Sequence, residues 1–187
     1  MATATQPTLT LLTAEEFARR PDPGYPEELV KGRIISMPPP GARHGQVCNK
    51  VGRLLGNHAE DYELGHVLSN DAGTVTERGP DSVRGPDVSF YSFAKLPKGP
   101  LPDGYPAVPP DLVVEVFSPH DRWPKVLAKV AEYLNAGVAT VCVLDPERRT
   151  LHLYEGEQPV RILGADDELT LPAPLGDFRV QVGRFLE

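Results

Sequence analysis

Residues 110–119 read PDLVVEVFSP, and they mark the centre of the fold. Leu112, Val113, Val114, Val116 and Phe117 form a short apolar run bounded by prolines, the pattern of a strand covered on both faces. Glu115 interrupts that run with a carboxylate. An unpaired carboxylate in a dry sheet costs several kcal/mol or gives up its charge, so a compensating partner is required. The identity of that partner is the clue to what the chain does.

The flanking segments supply the rest of an α/β domain. After Ser118-Pro119-His120-Asp121, a helix is expected over about 122–135. Its apolar stripe is Val126, Leu127, Val130, Tyr133 and Leu134, with Gly137 as C-terminal cap. Residues 140–144 read as a strand closed by Asp145-Pro146, and 150–154 as its hairpin partner. Phe178, Val180 and Val182 alternate as a last strand should.

On the N-terminal side, six prolines between residues 95 and 110 predict an irregular connection, and a strand begins at Asp87-Val88-Ser89-Phe90-Tyr91. The segment ERGPDSVRGP at 77–86 reads as loop, with strands expected around His66-Val67-Leu68 and Thr74-Val75. Val47, Val51, Leu54, Leu55 and His58 recur at helical spacing between about Ala42 and Glu60. Residues 27–37 suggest a β-hairpin turning at Lys31-Gly32. Thr13 and Glu16 match a capping box for a helix through about Arg20, stopped by Pro21-Asp22-Pro23-Gly24. Residues 1–11 read as a flexible tail and 12–187 as a single domain. Hairpins together with a helical crossover imply a mixed β-sheet flanked by helices.

The 40% hydrophobic and 24% charged content suits a soluble globular chain, and no apolar stretch approaches the roughly 18 residues of a membrane span. The N-terminus has no basic region followed by an apolar block, so no signal peptide is expected. Cys48 and Cys142 each sit in an apolar pattern, as buried thiols of a cytoplasmic protein do. With no C-x-x-C and five scattered histidines, no Cys/His zinc cluster is expected. A net charge of −7 argues against a protein that coats nucleic acid. It leaves room for an enzyme that holds a divalent cation and meets a phosphate locally.

Two acids occupy comparable places. Asp87 opens a strand and Glu115 lies within the next strong one, 28 residues on (115 − 87). Two carboxylates brought together repel unless one is protonated or a cation lies between them. Magnesium fits that role, taking one or two carboxylates and completing its shell with water and phosphate oxygens. A structural reading stands beside this one: Asp87 can cap a turn, and Glu115 can pair with Lys129 or an arginine. On a helix, Lys129 falls about 60° from Val126, close enough to the buried stripe to carry its ammonium to the sheet face. It can equally pair with Glu132 in solvent. Glu28 also sits where an acid is costly, although Glu27 is its neighbour, and His44 starts the second helix.

Four segments in order, EELVKGRIISMPPPGARHG, VRGPDVSFY, PDLVVEVFSP and KVAEYLNAGVATVCVLDP, resemble the bacterial Uma-two family (DUF820) of the PD-(D/E)XK restriction-endonuclease-like superfamily. The resemblance extends over about residues 12–155. It implies a restriction-endonuclease-like core in which Asp87 and Glu115 are metal ligands, the backbone carbonyl of Val116 is a third, and Glu28 is the acid contributed from the N-terminal region. The superfamily pattern wants lysine at position 117, where this chain has Phe117. In the Uma-two pattern a lysine on the following helix takes its place, and Lys129 stands there. His44 and Arg84 are candidates for phosphate or supporting contacts. The implied activity is hydrolysis of phosphodiester bonds in DNA with Mg²⁺ or Mn²⁺, by an endonuclease for which a homodimer is the expected assembly.

Two alternatives are set against this reading. One is a catalytically degenerate nuclease fold that binds nucleic acid or a protein, which Phe117 and the acidic net charge favour. The other is a PIN-like nuclease with an all-acid site and no need of a lysine.

Overall fold

A computed structural model describes residues 11–171, 173–176 and 178–187, so most of the expected N-terminal tail, residues 1–10, lies outside the described residues. Helix α1 (Ala14–Ala18) opens with the expected capping box: Thr13 accepts from the Glu16 amide, and Glu16 accepts from the Thr13 amide. Strands β1 (Glu27–Val30) and β2 (Arg33–Ser36) form the expected hairpin. Lys31 and Gly32 at its turn have φ of 50° and 74°, the pair of positive values that a tight hairpin turn demands and that glycine tolerates best.

Helix α2 (Ala42–Asp61) buries Val47, Val51, Leu55 and Ala59. Strands β3 (Gly65–Ser69), β4 (Thr74–Glu77), β5 (Ser82–Arg84), β6 (Val88–Ser92) and β7 (Leu112–Val116) precede helix α3 (Trp123–Asn135). Strands β8 (Thr140–Asp145), β9 (Thr150–Tyr154), β10 (Arg161–Gly164), β11 (Glu168–Leu171) and β12 (Phe178–Gln181) and helix α4 (Gly183–Leu186) complete the chain.

The main sheet has the order β10-β9-β8-β7-β6-β3, which puts β7 in its interior. Strands β7 and β8 are parallel and the other pairs antiparallel, as a helical crossover through α3 among hairpins requires. The fold is therefore mixed α/β, as expected. Alternation along β7 divides its side chains. Leu112, Val114 and Val116 join the core under α2, β11, β12 and α4, whereas Val113 joins the core under α3 with Val130, Tyr133 and Val143. Glu115 shares the α3 side, and this decides its partners.

Two expectations are corrected. Residues 77–86 are not all loop: Ser82–Arg84 form β5, the third strand of a second sheet ordered β2-β1-β5-β4. Strand β5 is short and flanked by Gly-Pro pairs, so turn chemistry masks it in the sequence, whereas Val83 is fixed by pairing with Leu29 and Val75. Leu127 is not part of the buried stripe. It is 44% exposed, because α3 meets the sheet through Val130 and Tyr133. Strands β10 and β11 and helix α4 were not anticipated, being only four residues each.

Candidate active site

The β1 hairpin brings Glu28 inward. Of the two neighbouring acids, Glu27 meets Arg20 and Ser36 near the surface, while Glu28 is only 4% exposed and faces the sheet junction. Its Oε2 accepts from Arg84 Nη1 at 2.8 Å, and its Oε1 accepts from the Gly85 amide at 3.2 Å and lies 3.0 Å from Lys129 Nζ. Gly85 is required there: a Cβ would come within 2.8 Å of Asp71 Cβ.

Lys129 is the partner that Glu115 needs. Helix α3 crosses the face bearing Glu115, and Lys129 Nζ donates to Glu115 Oε2 at 3.0 Å. Tyr133, one turn further, donates its hydroxyl to Glu115 Oε1 at 2.7 Å. The same Nζ reaches Glu28, so one ammonium bridges two acids from different sheets. Glu132 does not pair with Lys129. It holds Arg84 through Nε and Nη2 and receives the Thr76 hydroxyl. The Arg84 guanidinium is thus committed to Glu132 and Glu28, a supporting contact rather than a free phosphate binder.

Asp87 sits at the entry to β6, in register beyond the Val88–Val114 pair. Its Oδ2 accepts from the Val116 amide at 2.6 Å, and its Oδ1 lies 3.4 Å from His44 Nε2. His44 Nδ1 is in turn 3.4 Å from Cys48 Sγ. A ligand atom from each of His44, Cys48 and Asp87 lies within 4.8 Å of the others, the one such group of three among the described residues. The sequence reading missed this. His44 and Cys48 are four apart on one helix face, a legible spacing, but Asp87 joins them only in space. Asp71 is the other site residue missed. It lies in the β3–β4 turn at a φ of 56°.

The electrostatics report an excess of negative charge. Five carboxylates (Glu28, Asp71, Asp87, Glu115 and Glu132) stand against two permanent cations, Arg84 and Lys129. Burial pushes the Glu115 carboxyl up to about 7. Lys129 works against that shift and Asp87 adds to it. Burial also raises Asp71, again with Asp87 contributing. Burial alone would lower the Lys129 ammonium, but Glu115 and Glu28 outweigh it and hold the charge above its ordinary range. Glu28 ends below its ordinary value: burial opposes ionisation, and Lys129 and Arg84 prevail. His44 is raised, chiefly by its contact with Asp87. Oxygen donors, surplus negative charge and acids raised by burial, with Asp87 adding to the shift, fit a hard divalent cation.

Position 117 has its own explanation. Phe117 stacks on Trp123 with centroids 4.8 Å apart, and Trp123 packs on His152 at 4.5 Å. The side chain at that position is thus committed to an aromatic cluster at the start of α3.

Two predictions arise here. Glu115 holds its proton more tightly in the folded chain than in the unfolded one, whose ordinary value is 4.5. Its contribution to stability is therefore present in full below pH ~4.5 and lost as pH rises through about 7, by about 3 kcal/mol in all. Urea unfolding of the metal-free protein will show Glu115→Gln overtaking the parent as pH rises from 5 to 8. A constant difference across that range would refute the shift. Tyr133→Phe removes the hydroxyl that favours ionised Glu115 and will cost about 2 kcal/mol at pH 8, measured the same way.

The Uma2 family model, described as "Putative restriction endonuclease", matches residues 14–183. Among solved structures, the chain is similar to a "putative nuclease belonging to DUF820" from Anabaena variabilis ATCC 29413. The TM-score is 0.78 and the identity 19%, with 94% of this chain and 97% of that chain covered. At that identity the likeness shows the fold. No curated protein matches. Among the described residues, no helix is long and apolar enough to cross a membrane.

Proposed function

The chain belongs to the Uma2 family of restriction-endonuclease-like proteins, and on that premise we propose that residues 12–187 form a metal-dependent endonuclease hydrolysing phosphodiester bonds in DNA. The observation that carries the reading is Lys129 Nζ at 3.0 Å from Glu115, on the strand adjacent to Asp87. Asp87, Glu115 and the Val116 carbonyl would hold Mg²⁺ or Mn²⁺. When bound, that ion polarises the phosphate and lowers the pKa of a water.

The chain's own residues supply the rest. Lys129 offers a fixed ammonium to the negative charge that develops on the phosphate as the P–O bond breaks. Tyr133 and Lys129 together orient Glu115, leaving lone pairs of its carboxylate for the cation. Glu28 neutralises Lys129 and fixes its reach, and Arg84 with Glu132 holds Glu28 in place. His44 caps the exposed side of Asp87.

The test is hydrolysis of plasmid and of single-stranded DNA with Mn²⁺, alongside Mn²⁺-dependent thermal stabilisation. Cleavage of either substrate together with a stabilising shift is the expected result. Neither cleavage nor a shift would overturn the enzyme reading. One observation favours the second reading, a catalytically degenerate fold that binds nucleic acid or a protein: position 117 is locked in the Phe117–Trp123 stack. Binding of DNA without cleavage would support that alternative.

A further inference from the structure

His44, Cys48 and Asp87 lie together beside the proposed catalytic cation without any role in it for the thiol. We infer that these three residues form a second cation site, selective for a soft or borderline divalent ion such as Zn²⁺, and that Zn²⁺ there excludes the catalytic cation by taking Asp87. The inference rests on the proposed Asp87–Glu115 site only for the second half. The Zn²⁺ site itself stands on its own geometry.

His44 and Cys48 are four residues apart in the first turns of α2, the spacing that places two ligands on one helix face. His44 lies between the other two residues: its Nδ1 is 3.4 Å from Cys48 Sγ, and its Nε2 is 3.4 Å from Asp87 Oδ1. Zinc bond lengths to nitrogen, oxygen and sulfur put neighbouring tetrahedral ligands about 3.3–3.6 Å apart. One His44 nitrogen, Cys48 Sγ and an Asp87 carboxylate oxygen lie within 4.8 Å of one another, so turning the imidazole to bring that nitrogen toward both partners closes the three on an ion.

The donor set is imidazole, thiolate and carboxylate, with a fourth position left for water, the pattern of an open zinc site. Magnesium makes poor use of sulfur and nitrogen, so the set discriminates against the cation expected at Glu115. His44 is 14% and Asp87 12% exposed, enough for an ion to enter and too little for the ligands to swing freely. The partition falls on one carboxylate. Asp87 Oδ2 is occupied by the Val116 amide, which leaves Oδ1 as the atom facing His44 and open to either ion. Coordination replaces the Cys48 thiol proton, which leaves to solvent, so Zn²⁺ binding will release protons.

The test is metal binding by the full chain, independent of activity. Co²⁺ as a spectroscopic substitute is expected to give a thiolate charge-transfer band that is lost in Cys48→Ser. Competition with a chromophoric chelator will show Zn²⁺ binding weakened at least about 100-fold in Cys48→Ser and His44→Ala, since loss of a supporting contact alone costs about 10–100-fold. Glu115→Gln will bind Zn²⁺ as the parent does. A parent without the thiolate band, or a folded Cys48→Ser with unchanged Zn²⁺ affinity, would overturn the site; circular dichroism establishes folding. For the competition, Zn²⁺ is expected to abolish the Mn²⁺-induced thermal shift in the parent but not in Cys48→Ser. Simultaneous, additive shifts would refute the exclusion while leaving the Zn²⁺ site standing. Failure of the nuclease reading would appear separately, as absent DNA cleavage with Zn²⁺ binding intact.

Discussion

Lys129→Met will abolish detectable Mn²⁺-dependent cleavage and destabilise the protein at pH 8. Loss of one well-placed charge donor costs about 10²–10³ in rate, and here the ammonium also orients Glu115. The stability effect has a separate cause. Lys129 is the shared counterion of Glu28 and Glu115, 4% and 14% exposed, and its removal leaves two buried carboxylates facing each other. Breaking such a buried arrangement from one side costs about 3–5 kcal/mol, and methionine keeps the volume so that packing adds little. The deficit will shrink at pH 5, where Glu115 takes up a proton instead of bearing an uncompensated charge. Cleavage and urea unfolding at the two pH values check both parts. Retained activity in Lys129→Met would instead favour an all-acid, PIN-like site.

Asp87→Asn will abolish cleavage as completely but move stability the other way. Asp87 raises both Glu115 and Asp71, so removing its charge relieves repulsion in the metal-free protein. Asparagine keeps a side-chain oxygen to accept the Val116 amide, so the strand entry survives. The metal-free protein will gain about 1 kcal/mol, the worth of roughly one pKa unit. In exchange, the Mn²⁺-induced stabilisation will vanish. For the parent that stabilisation is about 2.7 kcal/mol at a hundredfold excess of ion over the dissociation constant. Thermal melts with and without Mn²⁺ separate these effects. If Asp87→Asn cleaved as well as the parent, the site would lie elsewhere.

The two variants divide the acid-rich cluster into its parts. Lys129 is the internal charge shared by the buried Glu28 and Glu115, and Asp87 is the acid that adds to the raised state of Glu115 and Asp71. A site built only for stability would balance its charges, with each acid matched by a base. Here Glu115 stays raised even with Lys129 and Tyr133 both donating to it.

Much of this was legible in PDLVVEVFSP and its neighbours. A strand apolar on both faces must be interior, and β7 is. The helix after it had to cross back to a parallel neighbour, which placed α3 over the sheet. The periodicity of Val130 and Tyr133 then put Lys129 near the buried stripe. Glu28 was legible as a costly acid beside a strand, but choosing it over Glu27 needed the hairpin's facing, because alternation in a strand is read only once one face is known to be buried.

The sequence by itself determined the main elements and the mixed sheet and singled out Asp87 and Glu115 as costly acids, since these follow from periodicity, turn residues and the cost of burying charge. Tertiary structure alone decided the partnerships. Glu28 and Glu115 meet over Lys129 because two separate sheets converge there, Arg84 is claimed by Glu132, and Asp71 and Cys48 arrive beside Asp87. Charge interactions depend on distance through space rather than along the chain, so residues 14 to 101 positions apart give no local signal of their pairing.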